Sequence, residues 1–346
     1  MKFRKLFLHK SEIKPIVSPI FIWMVIVLSL LQFQSCKPEA KPAGEENNTC
    51  IISDKAKLEE LAIFPADNLL NKNISDSPVD TRSDAIISLM GSPGIHPDFG
   101  SGLWDGAPIG IPFILVCKEQ AQIPVLFRAN SYDNNYGNVS DPGPYPIPLT
   151  APIEGNGAGD SNVLAVDIYN KVLYEMYNAS AGAAGWEASG GATWDLKIND
   201  TRPVGWTSAD ASGMPILPLL VRYDEILKGT IDHAIRFTLS KAKTMRAYTS
   251  PASHISAGDN TDMNAPTPYG MRLRLKAGFD ISLYSQTNKV ILTAMKNYGL
   301  IFSDIGSDFF ISGAPDERWD NDDLSKLKKI TAGNFEVIQM GEIIKN

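Results

Sequence analysis

The stretch VLAVDIYNKVLYEMY, Val163–Tyr177, decides the fold class. Two short apolar runs, Val163–Ile168 and Val172–Tyr177, flank Tyr169-Asn170-Lys171, a connection suited to a β-hairpin. Runs of this length, rich in Val, Ile and Tyr, read as strands rather than helices. The same pattern recurs outward in both directions, each run bounded by Gly, Pro, Asn or Asp: Ile111–Cys117, Val125–Arg128, Ala192–Ile198, Ala234–Leu239, Arg272–Lys276, Leu300–Ser303 and Phe309–Ser312. Helical spacing is confined to Asp54–Leu61, Arg82–Met90, Leu219–Leu227 and Ser285–Tyr298, with Asn321–Lys329 as a last helix opened by acids and closed by lysines. In Ser285–Tyr298 the residues Val290, Ile291, Ala294, Met295 and Tyr298 share one face, and Gly299 stops the helix. The expected fold is mainly β with several helices: a single-domain β-sandwich or jelly-roll-like body rather than a barrel, with helices packed on one side.

Gly and Pro are scattered instead of gathered into one linker, so residues 58–346 read as a single β-rich globular domain, long enough for a full core. Ahead of it, residues 1–35 read as a signal peptide. Lys2, Arg4, Lys5 and Lys10 precede an apolar run from Ile16 to Leu31, the basic and apolar regions of a secretory leader. The following Gln32-Phe33-Gln34-Ser35-Cys36 resembles the lipobox of bacterial lipoproteins, in which the cysteine is acylated and becomes the N-terminus, although Phe33 and Gln34 depart from its strictest form. The alternative is an uncleaved transmembrane helix, and both readings keep the basic flank in the cytoplasm and place the body outside it. Residues 36–57, beginning KPEAKPAGEENN after Cys36, have the composition of a flexible tether. The expected location is the cell envelope, lipid-anchored at the outer membrane or cell surface.

The chain carries 32 basic and 39 acidic residues. Loss of the leader removes five Lys/Arg and one Glu, which leaves a formal charge of about −11. An acidic body without clustered Lys and Arg excludes nucleic acid as a partner and a basic membrane-surface patch. Beyond Cys36 stand Cys50 and Cys117. Two readings stay open for them: one bridge closing a loop of about 67 residues, or two separate thiols with Cys117 buried in IPFILVC.

Reactive residue types are densest from Arg202 to Leu239, where Trp206, Ser208, Asp210, Ser212, Arg222, Asp224, Glu225, Asp232 and His233 stand among glycines. Three chemistries compete there. His96, His233 and His254, with Asp98 or Asp232, are zinc-ligand types, but no HExxH or comparable spacing joins them, so neither metal nor cofactor is expected. Ser208 or Ser212 with His233 or His254 would make a nucleophile and base, but the GxSxG elbow is absent and SADASG equally reads as a turn or helix cap. Paired carboxylates remain, drawn from Asp98, Asp105, Asp210, Asp224, Glu225 and Asp304, all beside aromatic or glycine-rich loops where burial separates pKa values. Asp224-Glu225 equally suits a helix surface or cap. Trp104, Trp186, Trp194, Trp206 and Trp319 keep the polar company of sugar-stacking aromatics, each with half-buried core as its alternative. The long connections 131–161 and 250–270 are candidates for the rim of a site.

The runs HPDFG (His96–Gly100), DPGPYPIP (Asp141–Pro148), GWTSADASGMPILPLLVRYDEI (Gly205–Ile226), HAIRFT (His233–Thr238), MRLRLKAGFDIS (Met271–Ser282) and YGLIFSDIGSDFFISG (Tyr298–Gly313) resemble those of a group of mostly uncharacterised secreted bacterial proteins and lipoproteins. The resemblance spans nearly the whole body and implies a shared fold, with no activity to carry over.

The functional expectation is a lipid-anchored, extracytoplasmic carbohydrate-active enzyme, a glycoside hydrolase or polysaccharide lyase, acting on a polysaccharide or oligosaccharide. Its catalytic residues would be Asp210 and Asp224 with His233 or His254 as proton carrier. His96, Asp98, Trp104, Trp206 and Arg222 would bind substrate, and Cys36 would hold the body to the membrane through lipid. The competing expectations are a non-catalytic surface lipoprotein that binds glycan or protein, and a peptidase or esterase using Ser212.

Overall fold

A computed structural model describes residues 49–128, 136–255 and 257–345. The expected signal peptide, the lipidation candidate Cys36 and the expected tether up to residue 48 lie outside them. Among the described residues sixteen strands form four sheets with few helices between them, so the body is mainly β. No helix among these residues is long and apolar enough to cross a membrane.

The Val163–Asp167 and Val172–Tyr177 strands pair antiparallel, from Val163 opposite Met176 to Asp167 opposite Val172. The turn between them is set by Asp167, whose Oδ1 accepts from the N–H groups of Tyr169 and Asn170 at 3.0 and 2.9 Å. Lys171 takes the left-handed conformation that closes the turn. The hairpin lies within a five-stranded sheet of order Ile51–Ile52, Phe113–Val116, Val163–Asp167, Val172–Tyr177 and Gly190–Asp195, in which Phe113–Val116 runs parallel to Val163–Asp167. Every residue of Val163–Asp167 is buried, because the sheet is covered on both faces. Leu164 and Val166 face one core with Leu115, Leu173 and Trp194. Val163 and Ala165 face another with Val116, Met176, Tyr145 and Trp186. Trp186 belongs to a small sheet of Val125–Phe127, Gly185–Ala188 and Ser180–Gly182.

The second large sheet has six strands, in the order Phe335–Val337, Arg272–Leu275, Leu300–Ile305, Ile235–Leu239, Phe310–Ser312 and His96–Asp98. Phe237, Leu273, Phe302 and Phe335 join Leu164 and Trp194 in the same core, so both large sheets contribute to one apolar interior. Ile235–Leu239 runs parallel to Leu300–Ile305, and Phe310–Ser312 parallel to His96–Asp98. These parallel pairs set the architecture apart from the wholly antiparallel arrangement of a jelly roll.

The Gln286–Asn297 helix buries Val290, Ile291, Ala294 and Met295, and the Ser285 side chain caps it by accepting from the Asn288 N–H. Gly299 follows at φ +75°, and a Cβ there would lie 2.2 Å from the Leu273 carbonyl oxygen, so the stop has room for glycine alone. The Arg82–Met90 helix is found as Ser83–Met90, and Asn321–Lys329 is helical throughout, its second half as a 3₁₀ turn, whereas the other two expected helices are shorter: Tyr223–Lys228 is α-helical and Lys55–Glu60 is a 3₁₀ segment. Leu217–Leu219 turns as a 3₁₀ helix with Pro218 in its first turn, where no N–H is needed. Cys50 and Cys117 are joined in a disulfide with Cα atoms 5.6 Å apart, tying the Ile51–Ile52 edge strand to its neighbour.

Candidate functional site

The loop from Thr207 to Met214 and the end of the Leu300–Ile305 strand meet at a cavity of about 170 Å³, lined by Tyr136, Asp160, Tyr177, Ser208, Asp210 and Asp304 among others. The loop is held by its own polar groups. Ser208 Oγ accepts from the Asp210 N–H and donates to the Met214 carbonyl at 2.6 Å. Gly213 sits at φ +77°, where a Cβ would fall 2.1 Å from Ser253 Oγ. On the strand side the register between Ile235–Leu239 and Leu300–Ile305 shifts at Phe237/Thr238, so that Thr238 faces Asp304 and Ser303 is the extra residue of a bulge. A bulge at the end of a strand re-aims the side chain beside it, here Asp304.

Arg236, inside the wholly buried Ile235–Leu239 strand, joins the two acids. Its Nε donates to Asp210 Oδ2 at 2.7 Å and its Nη2 to Asp304 Oδ2 at 2.9 Å, while Nη1 donates to Ser312 Oγ at 2.9 Å. Burial opposes a charge on Arg236, but the facing carboxylates outweigh it and hold the guanidinium charged. Asp210 has no exposed side-chain surface, whereas Asp304 keeps 20 % and faces the cavity. Burial and then the neighbouring Asp210 push Asp304 well above the usual carboxylate range. Burial also pushes Asp210 up, against the pull of Arg236 and of a hydrogen bond from Asp304. Two carboxyls in contact cannot both ionise easily, and of the two it is Asp304 that keeps exposed side-chain surface. Asp160 stands exposed on the cavity wall and acts electrostatically on Asp304. His254 lies behind the wall, its Nδ1 2.8 Å from the Ala211 carbonyl and its ring edge-on to Tyr136 at 6.1 Å. Burial lowers its pKa, so it is neutral at pH 7.

The other expected site residues are dispersed. Asp224 is not beside Asp210: it lies on the Tyr223–Lys228 helix, bonded to Arg318 at 3.0 Å. His233 and Arg222 belong to a second cavity of about 490 Å³. There His233 Nε2 is 2.9 Å from Glu225 Oε1 and Nδ1 is 2.7 Å from the Ala234 carbonyl, while Arg222 Nη2 donates to the same Glu225 oxygen at 2.6 Å. Burial opposes the Glu225 charge, but Arg222 and His233 outweigh it and keep its pKa low. This cluster fastens the start of a helix. His96, Asp98 and Trp104 come together in a third cavity of about 420 Å³ with Asn321, Ser325 and Lys328. His96 stacks on Phe310 at 4.0 Å, and Trp104 projects with 78 % of its surface exposed. Trp206 is half-buried under Arg202, whose guanidinium lies 5.2 Å from its ring.

The serine arrangement does not assemble. Ser208 serves its own loop, Ser212 is fully buried with its Oγ accepting from the Met214 N–H, and His254 is turned to a carbonyl. Among the described residues, the one group of His, Cys, Asp and Glu side chains near enough to share a metal ion is Cys50, Cys117 and Glu119. Two of these are spent in the disulfide.

Asp304 and Asp210 were among the carboxylates that sequence reading put forward, but Asp160, Arg236, Tyr136 and Tyr177 were not. Arg236 carried a usable signal: a cation within the apolar run HAIRFTL requires a buried acid opposite it. Comparison with family models, with curated proteins and with solved structures finds no match.

Proposed function

We propose that the body is a carbohydrate-active enzyme whose proton donor is the Asp304–Asp210 pair. The observation that carries this reading is Asp304 itself, a carboxyl pushed well above the usual carboxylate range by burial and by Asp210, lining a cavity whose wall also holds Asp160. Two acids in unlike environments facing one space suit an acid and a base about a glycosidic bond. Asp304 delivers its proton to the leaving oxygen. Asp160 takes the opposite part, activating water in a hydrolase or removing a ring proton in a lyase. Tyr136 and Tyr177 supply ring faces and hydroxyls of the kind that meet sugars. The body works outside the cytoplasm, tethered by lipid on Cys36, and the Cys50–Cys117 disulfide supports an oxidising compartment.

The test incubates the full chain with a panel of purified polysaccharides, following reducing ends together with the ultraviolet absorbance of unsaturated uronates. Reducing ends alone identify a hydrolase and both signals identify a lyase, and Asp304→Asn abolishes either. Activity that persists in Asp304→Asn refutes the assignment.

One observation favours a second reading. The exposed Trp104 beside the His96 and Asp98 cavity has the form of a sugar-stacking platform, and it suits a surface glycan binder with no catalysis at all.

A further inference from the structure

Arg272 differs from most of the arginines that are partly or fully buried. Arg82, Arg202, Arg222, Arg236 and Arg274 each meet a carboxylate. Arg272 meets none: its Nη1 donates to the Leu69 carbonyl at 2.9 Å and its Nη2 to the Leu70 carbonyl at 3.1 Å, and its Nε has no partner. Burial, with no acid to oppose it, draws the guanidinium down to about 10, still charged at neutral pH. The group lines a cavity of about 340 Å³ whose wall holds Lys72, Ser77, Thr249, Ser250 and Gln339 and no Asp or Glu. Thr249 is 1 % exposed, and its Oγ1 also lacks a partner. A buried Nε–H and a buried hydroxyl left unpaired each carry a free-energy cost that a ligand can relieve.

We propose that this cavity is a binding site for a small oxyanion, held by the planar fork of Arg272 with Lys72 and the Thr249 hydroxyl beside it. The chemistry is that of a carboxylate, sulfate or phosphate group, which a guanidinium meets through parallel N–H donors. In a body of net negative charge, two cations without a local acid set this cavity apart as attractive to anions. It shares no lining residue with the Asp304 cavity and stands independently of the enzymatic reading.

The test is calorimetric titration of the full chain with sodium sulfate, sodium phosphate or sodium glucuronate, at ionic strength matched by sodium chloride. One saturable equivalent is expected for at least one probe. Preference for glucuronate marks a carboxylate ligand, and preference for sulfate or phosphate marks a tetrahedral one. Arg272→Gln weakens binding roughly ten- to hundred-fold, as loss of a charged hydrogen-bond donor implies. Asp304→Asn leaves it unchanged. If Arg272→Gln does not fold, Thr249→Val and Lys72→Ala decide the matter, each expected to weaken binding several-fold. No saturable heat from any probe, or wild-type affinity in the folded variants, overturns the site.

Discussion

Arg236 holds Asp210 and Asp304 at once, 2.7 Å from the first and 2.9 Å from the second. One cation thus compensates two acids, of which Asp210 has no exposed side-chain surface and so no water to fall back on. Arg236→Leu removes the compensation and is expected to cost about 3–5 kcal/mol, the penalty of breaking a buried ion pair from one side. Urea unfolding followed by circular dichroism measures it. Adding Asp210→Asn to that variant is expected to restore part of the loss, since one fewer buried acid then needs a partner. A midpoint for Arg236→Leu indistinguishable from wild type refutes the account of the cluster.

The Cys50–Cys117 disulfide spans a sequence separation of 67. Closing a loop of that size in the unfolded chain is worth about 4 kcal/mol by the chain-entropy argument. Unfolding in the presence of a reductant is expected to fall to lower denaturant by a corresponding amount, and Cys50→Ala/Cys117→Ala to match it. Equal stability with and without reductant counts against the bridge. The first strand contributes just Ile51 and Ile52 to the sheet, so this edge is where the loss appears as early hydrogen exchange.

The strands were legible because their signal is local. VLAVDIYNKVLYEMY predicts both strands and the turn, and HAIRFTL, RLRLK and LIFS each predict one. The helix at Ser285 was legible for the same reason, with a cap, a periodic face and a glycine stop. Short strands such as the edge strand His96–Asp98 and the central strand Gly185–Ala188 of the three-stranded sheet were not, since pairing with a distant partner makes them strands and nothing in their own residues does. The site failed in the same way. Density of reactive residues between 202 and 239 suggested one pocket, yet the chain there passes from the Asp210 loop to the Tyr223–Lys228 helix and so serves three cavities. Asp160 and Asp304, far apart in sequence, meet only through the fold.

Glu175 is fully buried, accepting from the N–H groups of Ile216 and Leu217, both at 2.9 Å, and from Trp194 Nε1 at 3.3 Å. Burial nevertheless dominates and lifts its pKa to about 7, as it does for Glu154. A raised carboxyl pKa means that the folded state keeps a proton the unfolded state has released. Stability is therefore full below about pH 4.5 and falls as pH rises to about 7, by up to about 3 kcal/mol from Glu175. The opposite contribution of Asp80, whose carboxylate Arg82 holds at about 2, is confined to pH below 3.8 and does not blur this window. Glu175→Gln mimics the protonated form. Its stability is expected to vary less with pH across this range than that of wild type, the remaining slope coming from the other raised carboxyls, Glu154 and Asp304 among them, against the opposite contribution of the lowered His254. Parallel pH profiles for the two proteins contradict the assignment.

Trp104 and Asp304 separate the two functional readings, because they lie in different cavities and play different structural parts. Trp104 stands on the Leu103–Trp104 strand of a two-stranded hairpin with 78 % of its surface exposed, so Trp104→Ala is expected to alter stability by no more than about 0.5 kcal/mol. Any loss of glycan retention in that variant then reports contact rather than folding. Affinity electrophoresis in gels cast with polysaccharide measures retention, and the turnover assay measures catalysis, each on the same two variants. For an enzyme with an outlying sugar platform, Asp304→Asn abolishes turnover while retention persists, and Trp104→Ala weakens retention while turnover of short oligosaccharides persists. For a pure binder, wild type turns nothing over, Trp104→Ala loses retention and Asp304→Asn binds as wild type. Retention that survives Trp104→Ala removes the platform from both readings, and loss of that retention in Asp304→Asn then places the sugar in the Asp304 cavity.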